Sequence, residues 1–141
     1  MAMTSEDPDL AAAFAALYRE VGVLYGVISR RFGLTVQQVE LLCLLSGRRP
    51  SFGELAVLLG CDKTNVTGMV DRLARRGFVA RETDPDDRRI TRAVLTEQGA
   101  AIREDFRSAL AAELGARVPR ANRARLVALI TDSVTALAES R

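Results

Sequence analysis

Apolar residues recur through most of this 141-residue chain at steps of three and four, the spacing of amphipathic helices. The first stripe is Phe14, Leu17, Tyr18, Val21, Leu24, Tyr25 and Ile28, and it predicts one long helix. Asp7-Pro8 supplies an N-cap followed by proline at the first helical position. Arg30-Arg31 suit the dipole in the last turn, and Gly33 stops the helix. Thr35-Val36-Gln37-Gln38 reads as a capping box opening a second helix that is apolar on most sides. Gly47-Arg48-Arg49-Pro50 breaks it. Ser51-Phe52-Gly53-Glu54 is a second capping box and opens a short helix ending at Gly60. Asp62 caps a fourth helix, KTNVTGMVDRLARR, closed by Gly77.

After Gly77 the period changes. FVARETD and ITRAVL flank Asp84-Pro85-Asp86-Asp87-Arg88-Arg89, which predicts a hairpin around a charged turn. Thr96 caps a fifth helix with Ile102, Phe106, Leu110 and Leu114 on one face, and Gly115 and Pro119 are expected to break it. A final helix from about Pro119 carries Leu126, Ile130, Val134 and Leu137. The fold expected is mainly α with a small β-hairpin. The stripes at the two chain ends have no core of their own, which points to packing across a two-fold axis; closure of a monomeric bundle is the alternative.

Residues 51–76 carry the strongest local pattern. A helix-turn-helix needs a small residue where its helices cross, and Ala56 stands there. It needs a residue tolerant of positive φ in the turn, and Gly60 supplies it. Val66, Met69, Val70 and Leu73 form the inner face of the second helix. The opposite face holds Lys63, Thr64, Thr67, Gly68, Asp71, Arg72 and Arg75, short-chained at the start and basic at the end. Such a helix can enter a major groove and present donors to base edges. Asp62 reads as a cap; Asn65 either supports it or reads adenine. Asp71 is expected to orient a basic neighbour such as Arg75 four residues on, in preference to contacting cytosine, and Arg75 and Arg76 are read as phosphate contacts, with ordinary solvated charges the alternative. The hairpin then looks like a wing, whose Arg89 can enter a narrow minor groove while Asp87 holds it through a salt bridge.

Composition changes this picture little. The formal charge of +2 is too small to identify a partner, although every basic residue except Lys63 is arginine. There is no histidine, and two cysteines, Cys43 and Cys61, are the only thiols; no metal site, disulfide framework or usual acid–base residue follows, and no cofactor or catalytic residue is expected. No apolar run approaching the ~18 residues of a membrane span stands out, and MAMTSEDPDL lacks the character of a secretory signal, so no membrane partner and a cytoplasmic location are expected. Cys61 reads as a small apolar turn residue and Cys43 as core, rather than as redox switches.

Taken together, Glu54-Leu55-Ala56, Val66-Thr67, Val70-Asp71-Arg72-Leu73, Arg76-Gly77-Phe78-Val79, Arg81, Asp84-Pro85, Asp87-Arg88-Arg89 and Leu95-Thr96-Glu97-Gln98-Gly99 resemble the MarR (multiple antibiotic resistance regulator) family over essentially the whole chain. The resemblance implies a winged helix-turn-helix in one MarR-type domain over 7–141. Long dimerisation helices would occupy 7–33 and 97–141, and 35–96 the winged portion, with the helix-turn-helix at 51–76 and the wing at 78–95. It implies a homodimer on a double-stranded, pseudo-palindromic operator, usually acting as a repressor, released by a small aromatic or anionic effector. Expected DNA contacts are Ser51, Lys63, Thr64, Asn65, Thr67, Arg72, Arg75, Arg88 and Arg89. Tyr18, Tyr25 and Phe32 are the aromatic candidates for an effector pocket, with core packing the alternative for both tyrosines. The peroxide-sensing cysteine near the start of the first helix and the tryptophan of urate-responsive relatives are both absent. A winged-helix protein-interaction module is the competing function; the basic face of the fourth helix argues against it.

Overall fold

The computed structural model describes residues 5–141. Among these, the order is α1 (Pro8–Arg31), α2 (Val36–Leu44), α3 (Phe52–Leu59), α4 (Lys63–Arg75), β1 (Val79–Thr83), β2 (Thr91–Leu95), α5 (Glu97–Arg117), a 3-10 turn (Arg120–Asn122) and α6 (Arg123–Glu139). Two compact units result, one running through Arg107 and the other Ser108–Arg141.

Short-range chemistry starts each helix of the first unit. Asp7 accepts the Leu10 N–H at 2.9 Å, with Pro8 at the first helical position. Thr35 and Gln38 cap α2 reciprocally at 3.1 and 3.0 Å, and Ser51 and Glu54 do the same for α3 at 3.1 and 3.4 Å. Asp62 accepts the Asn65 N–H at 2.8 Å. Each cap satisfies donors that the helix cannot, at about 1 kcal/mol apiece.

The core of this unit joins Ile28, Leu41, Leu42, Leu55, Val66, Val70, Leu73, Val79, Ala93 and Phe106, all buried. Tyr25 meets Phe106 with ring centroids 5.2 Å apart and planes tilted by 58°. The two strands pair antiparallel, from Val79 opposite Leu95 to Thr83 opposite Thr91. A further bridge pairs Ser51 with Arg92, so the residue that caps α3 also borders the wing.

Two expectations need correction. Gly115 does not break α5, which continues to Arg117 and ends before Pro119. An isolated helical glycine costs only about 1 kcal/mol, and Arg123 steadies this end by donating from Nη2 to the Gly115 carbonyl and from Nε to the Val118 carbonyl at 3.1 Å. Second, α1 does reach membrane-span length and apolarity by composition, because alanine, valine and leucine continue outside its stripe. Only 6% of its most apolar window is buried. In α6 no residue is buried, and Val127, Leu129, Val134 and Leu137 lie open.

Candidate nucleic-acid interface

The turn between α3 and α4 is built from backbone geometry. Gly60 adopts φ +65°, and the Cys61 N–H donates to the Ala56 carbonyl at 3.0 Å. Ala56 is buried at the crossing, and Val66, Met69, Val70 and Leu73 are buried beneath α4. The helix is thereby rolled so that Lys63, Thr64, Asn65, Thr67, Arg72 and Arg75 are all exposed. The Asp62 cap takes the Asn65 backbone N–H and leaves the Asn65 side chain free of hydrogen bonds among the described residues. The Thr67 hydroxyl donates back to the Lys63 carbonyl at 3.0 Å, which still leaves its lone pairs as acceptors. Arg72 lies over Gly68, where an added Cβ would meet its Nη1 at 3.4 Å.

Asp71 does not orient Arg75 as expected. Its carboxylate pairs with Arg81 of β1, and Arg75 reaches only the Asp71 backbone carbonyl, from Nε at 3.4 Å. The hairpin carries Arg81 to the exposed side of α4, and a guanidinium paired with a carboxylate is preferred to a marginal contact along one helix. The recognition helix is thus tied sideways to the wing.

In the wing itself Asp84 is the central acceptor. Its Oδ1 takes the backbone N–H groups of Asp86 and Asp87 at 2.8 and 3.1 Å, and its Oδ2 takes Arg92 Nε at 2.7 Å. Arg92 donates from Nη1 to the Arg49 carbonyl, and Arg49 pairs with Glu82 at 2.5 Å. Side chains of Asp84 and Arg92 are 14% and 24% exposed, so the pair is largely covered where the strands end and the wing turn begins. The hydrogen bond from Arg92, then those from the Asp86 and Asp87 backbone, hold the Asp84 carboxyl below its ordinary range. Nearer the tip, Asp87 grips Arg89 with both oxygens, Oδ1 to Nε and Oδ2 to Nη2, each at 3.1 Å. This depresses the Asp87 carboxyl and raises Arg89. The Arg89 side chain is nevertheless 90% exposed. A neutralised cation would be a poor anion ligand, but this one is aimed by its partner and still presents donors to solvent. Arg88 is exposed and makes no hydrogen bond among the described residues.

These elements meet around a hollow of about 340 Å³ lined by Ser51, Phe52, Gly53, Lys63, Arg89, Ile90 and Thr91. It brings the amino end of α3, the first residue of α4 and the wing arginine to one place. Helix N-terminal amides with two cations suit a phosphate. Ser51, Lys63 and Arg89 from the expected contacts converge here, whereas Thr64, Asn65, Thr67, Arg72 and Arg75 spread along the outer face of α4. Sequence reasoning missed the Asp84–Arg92–Arg49 chain. An Asp opening a DPDD turn was the available signal, since such residues bond the backbone two residues on.

A second, larger feature is a groove of about 1100 Å³ between α1, α2 and the end of α3. Tyr18 and Tyr25 line it, with Leu17, Val21 and Leu59 supplying apolar wall and Arg19, Arg30 and Glu40 the charge. Phe32 does not; it is the C-cap of α1, where the chain turns toward α2. Tyr18 is 83% exposed, while Tyr25 is half-buried against Phe106. Burial, then the Glu40 charge, pushes the Tyr25 phenol up. Burial alone raises the Glu40 carboxyl, and burial also raises the Cys43 thiol. Cys61 sits half-buried in the turn before α4.

A helix-turn-helix with an exposed polar and basic second helix, followed by an arginine-tipped hairpin, defines a winged helix-turn-helix DNA-binding protein. Residues 34–91 match the model of the MarR family. The chain is 30% identical over 113 residues, 76% of its own length and 73% of the relative's, to the uncharacterized HTH-type transcriptional regulator YcgE of Bacillus subtilis. It is 40% identical over 70 residues, 49% of its length and 44% of the relative's, to the HTH-type transcriptional repressor NicR of Pseudomonas putida. With two further Bacillus subtilis regulators the shared span is 58% and 60% of the relative's length. The crystal structure of wild-type MarR from E. coli, in its apo form, superposes with a TM-score of 0.76 at 26% identity, covering 92% of this chain and 98% of that one. The chain belongs to the MarR family: it is a DNA-binding transcriptional regulator and not an enzyme.

Proposed function

We propose that the chain is a homodimeric, cytoplasmic repressor of a pseudo-palindromic operator, released when a small aromatic or anionic molecule enters the groove between α1 and α2. The observation that carries the DNA reading is the convergence of Ser51, Lys63 and Arg89 on one hollow beside the exposed face of α4. In this reading Lys63, Arg72 and Arg75 meet phosphates and the edges of the groove. Thr64, Asn65 and Thr67 face bases, and Arg88 and Arg89 work at the minor groove. NicR, a named repressor, supports the direction of control. The uncovered apolar faces of α1 and α6 support a second copy as partner. Arg19 and Arg30, which outnumber Glu40 in a mainly apolar groove, support an anionic effector.

The test is fluorescence anisotropy on a duplex that the wild-type protein selects from a random-sequence pool. Arg89→Ala should weaken binding by about tenfold and lower the salt dependence, because a cation near phosphates releases counterions. Unchanged affinity would remove Arg89 from the interface.

A further inference from the structure

Arg76 lies at the end of the reading helix, where a phosphate contact is the expected role, yet its side chain is already committed elsewhere. Its backbone caps α4, with its N–H on the Arg72 carbonyl at 3.3 Å. From there Nη1 donates to the Gly33 carbonyl at 2.6 Å, across 43 positions of sequence. Its guanidinium carbon stands 5.0 Å from the centroid of the Phe78 ring. Gly33, at φ +66°, closes α1: its N–H bonds the Arg30 carbonyl at 3.1 Å and the Leu34 N–H bonds the Ser29 carbonyl at 3.0 Å. A Cβ at Gly33 would meet Arg76 Nη2 at 3.4 Å, so the guanidinium rests on that turn.

We propose that Arg76 is a positioning residue that latches the carboxyl end of α4, and the root of the wing at Phe78, to the turn that ends α1. Physical chemistry favours this site for a cation. The Gly33 carbonyl continues the negative end of the α1 dipole, and a charged donor strengthens the bond. The planar guanidinium can stack on an aromatic face while donating in its own plane to a carbonyl, a geometry that a compact, strongly hydrated ammonium reproduces poorly. The latch sets the angle at which α4 leaves the body. It also connects α4 to the segment between α1 and α2, the two helices that wall the groove. A molecule that shifts these walls would therefore bear on the reading helix through Arg76 as well as through α3, whose end also lines the groove. The inference rests on α4 being the DNA-reading helix.

The experiment compares wild type, Arg76→Ala and Arg76→Lys on two duplexes: one selected by the wild type from a random pool, and one unselected random duplex of equal length. Salt is varied from about 50 to 200 mM. A latch predicts that Arg76→Ala weakens the selected duplex by about tenfold, with the random duplex nearly unaffected and the salt slope unchanged. Lysine should not rescue it. A phosphate contact predicts parallel loss on both duplexes, a slope smaller by about one ion and rescue by lysine; that result overturns the proposal. Amide hydrogen exchange gives the second readout. Gly33 and Leu34 should exchange faster in Arg76→Ala, and unchanged exchange there overturns the latch. If the wild type shows no preference among duplexes, the DNA reading of α4 fails, while the exchange measurement still decides the latch.

Discussion

Asp84 organises the wing, a role that its place in the charged turn does not by itself reveal. Three donors converge on its carboxylate, and one of them, Arg92, reaches on to the Arg49 carbonyl before α3. Asp84→Ala should therefore loosen the hairpin and its seat together. The expected outcome is a lower melting temperature and about tenfold weaker binding to a selected duplex, since charged hydrogen bonds are among the costlier to lose. Asp84→Asn should retain part of both, because an amide oxygen still accepts the backbone bonds. The pH dependence has a definite sign. Both Asp84 and Asp87 are depressed in the folded protein, so their contribution is fully present above the ordinary carboxylate pKa. It is lost only as pH falls through the lower folded values. Carbon-detected NMR titration should place both midpoints below those of free aspartate, and wing chemical shifts should hold constant from pH 8 to about 5. A midpoint at or above the free value would contradict the network. Asp87 with Arg89 was legible because both lie within one charged turn. Arg92 with Arg49, and Asp71 with Arg81, were not, because nothing local announces partners brought together by folding.

At the scale of elements, the helix starts were the most readable features. Asp7, Thr35, Ser51, Asp62 and Thr96 are each followed three residues on by the N–H that they accept. A cap is a bond between near neighbours, so its whole cause is in the sequence. The end of α5 was harder to read, since a lone glycine is a weak stop and the proline beyond it a strong one. Two glycines give opposite predictions. Gly68 lies within α4 with only the flexible end of Arg72 above it. Gly68→Ala should raise stability by about 0.5–1 kcal/mol in denaturant unfolding, while shifting Arg72 and changing affinity for a selected duplex. Gly99 is buried in the first turn of α5, where a Cβ would run into the Phe78 carbonyl. Gly99→Ala should cost at least about 2 kcal/mol in the same measurement. If both variants unfold with wild-type midpoints, the close packing around these two sites is misassigned.

For the whole molecule, the outstanding feature is that α1 and α6 each expose a row of large apolar side chains. Leu17 and Val23 on α1, with Leu129, Val134 and Leu137 on α6, are all uncovered. In the proposed dimer a second copy buries these faces. Sedimentation should give a dimer at micromolar concentration, and Val134→Asp should shift it toward monomer and weaken duplex binding by more than tenfold, because two half-sites are then no longer held together. A monomeric wild type would remove the two-fold reading of the operator.

Whether this chain reads sequence in duplex DNA is decided by competition binding. The duplex selected from a random pool is labelled and challenged with unlabelled selected duplex or with random duplex. The selected duplex should contain an inverted repeat and compete about 10³-fold better than random DNA at physiological salt. Equal competition by the two would contradict sequence reading.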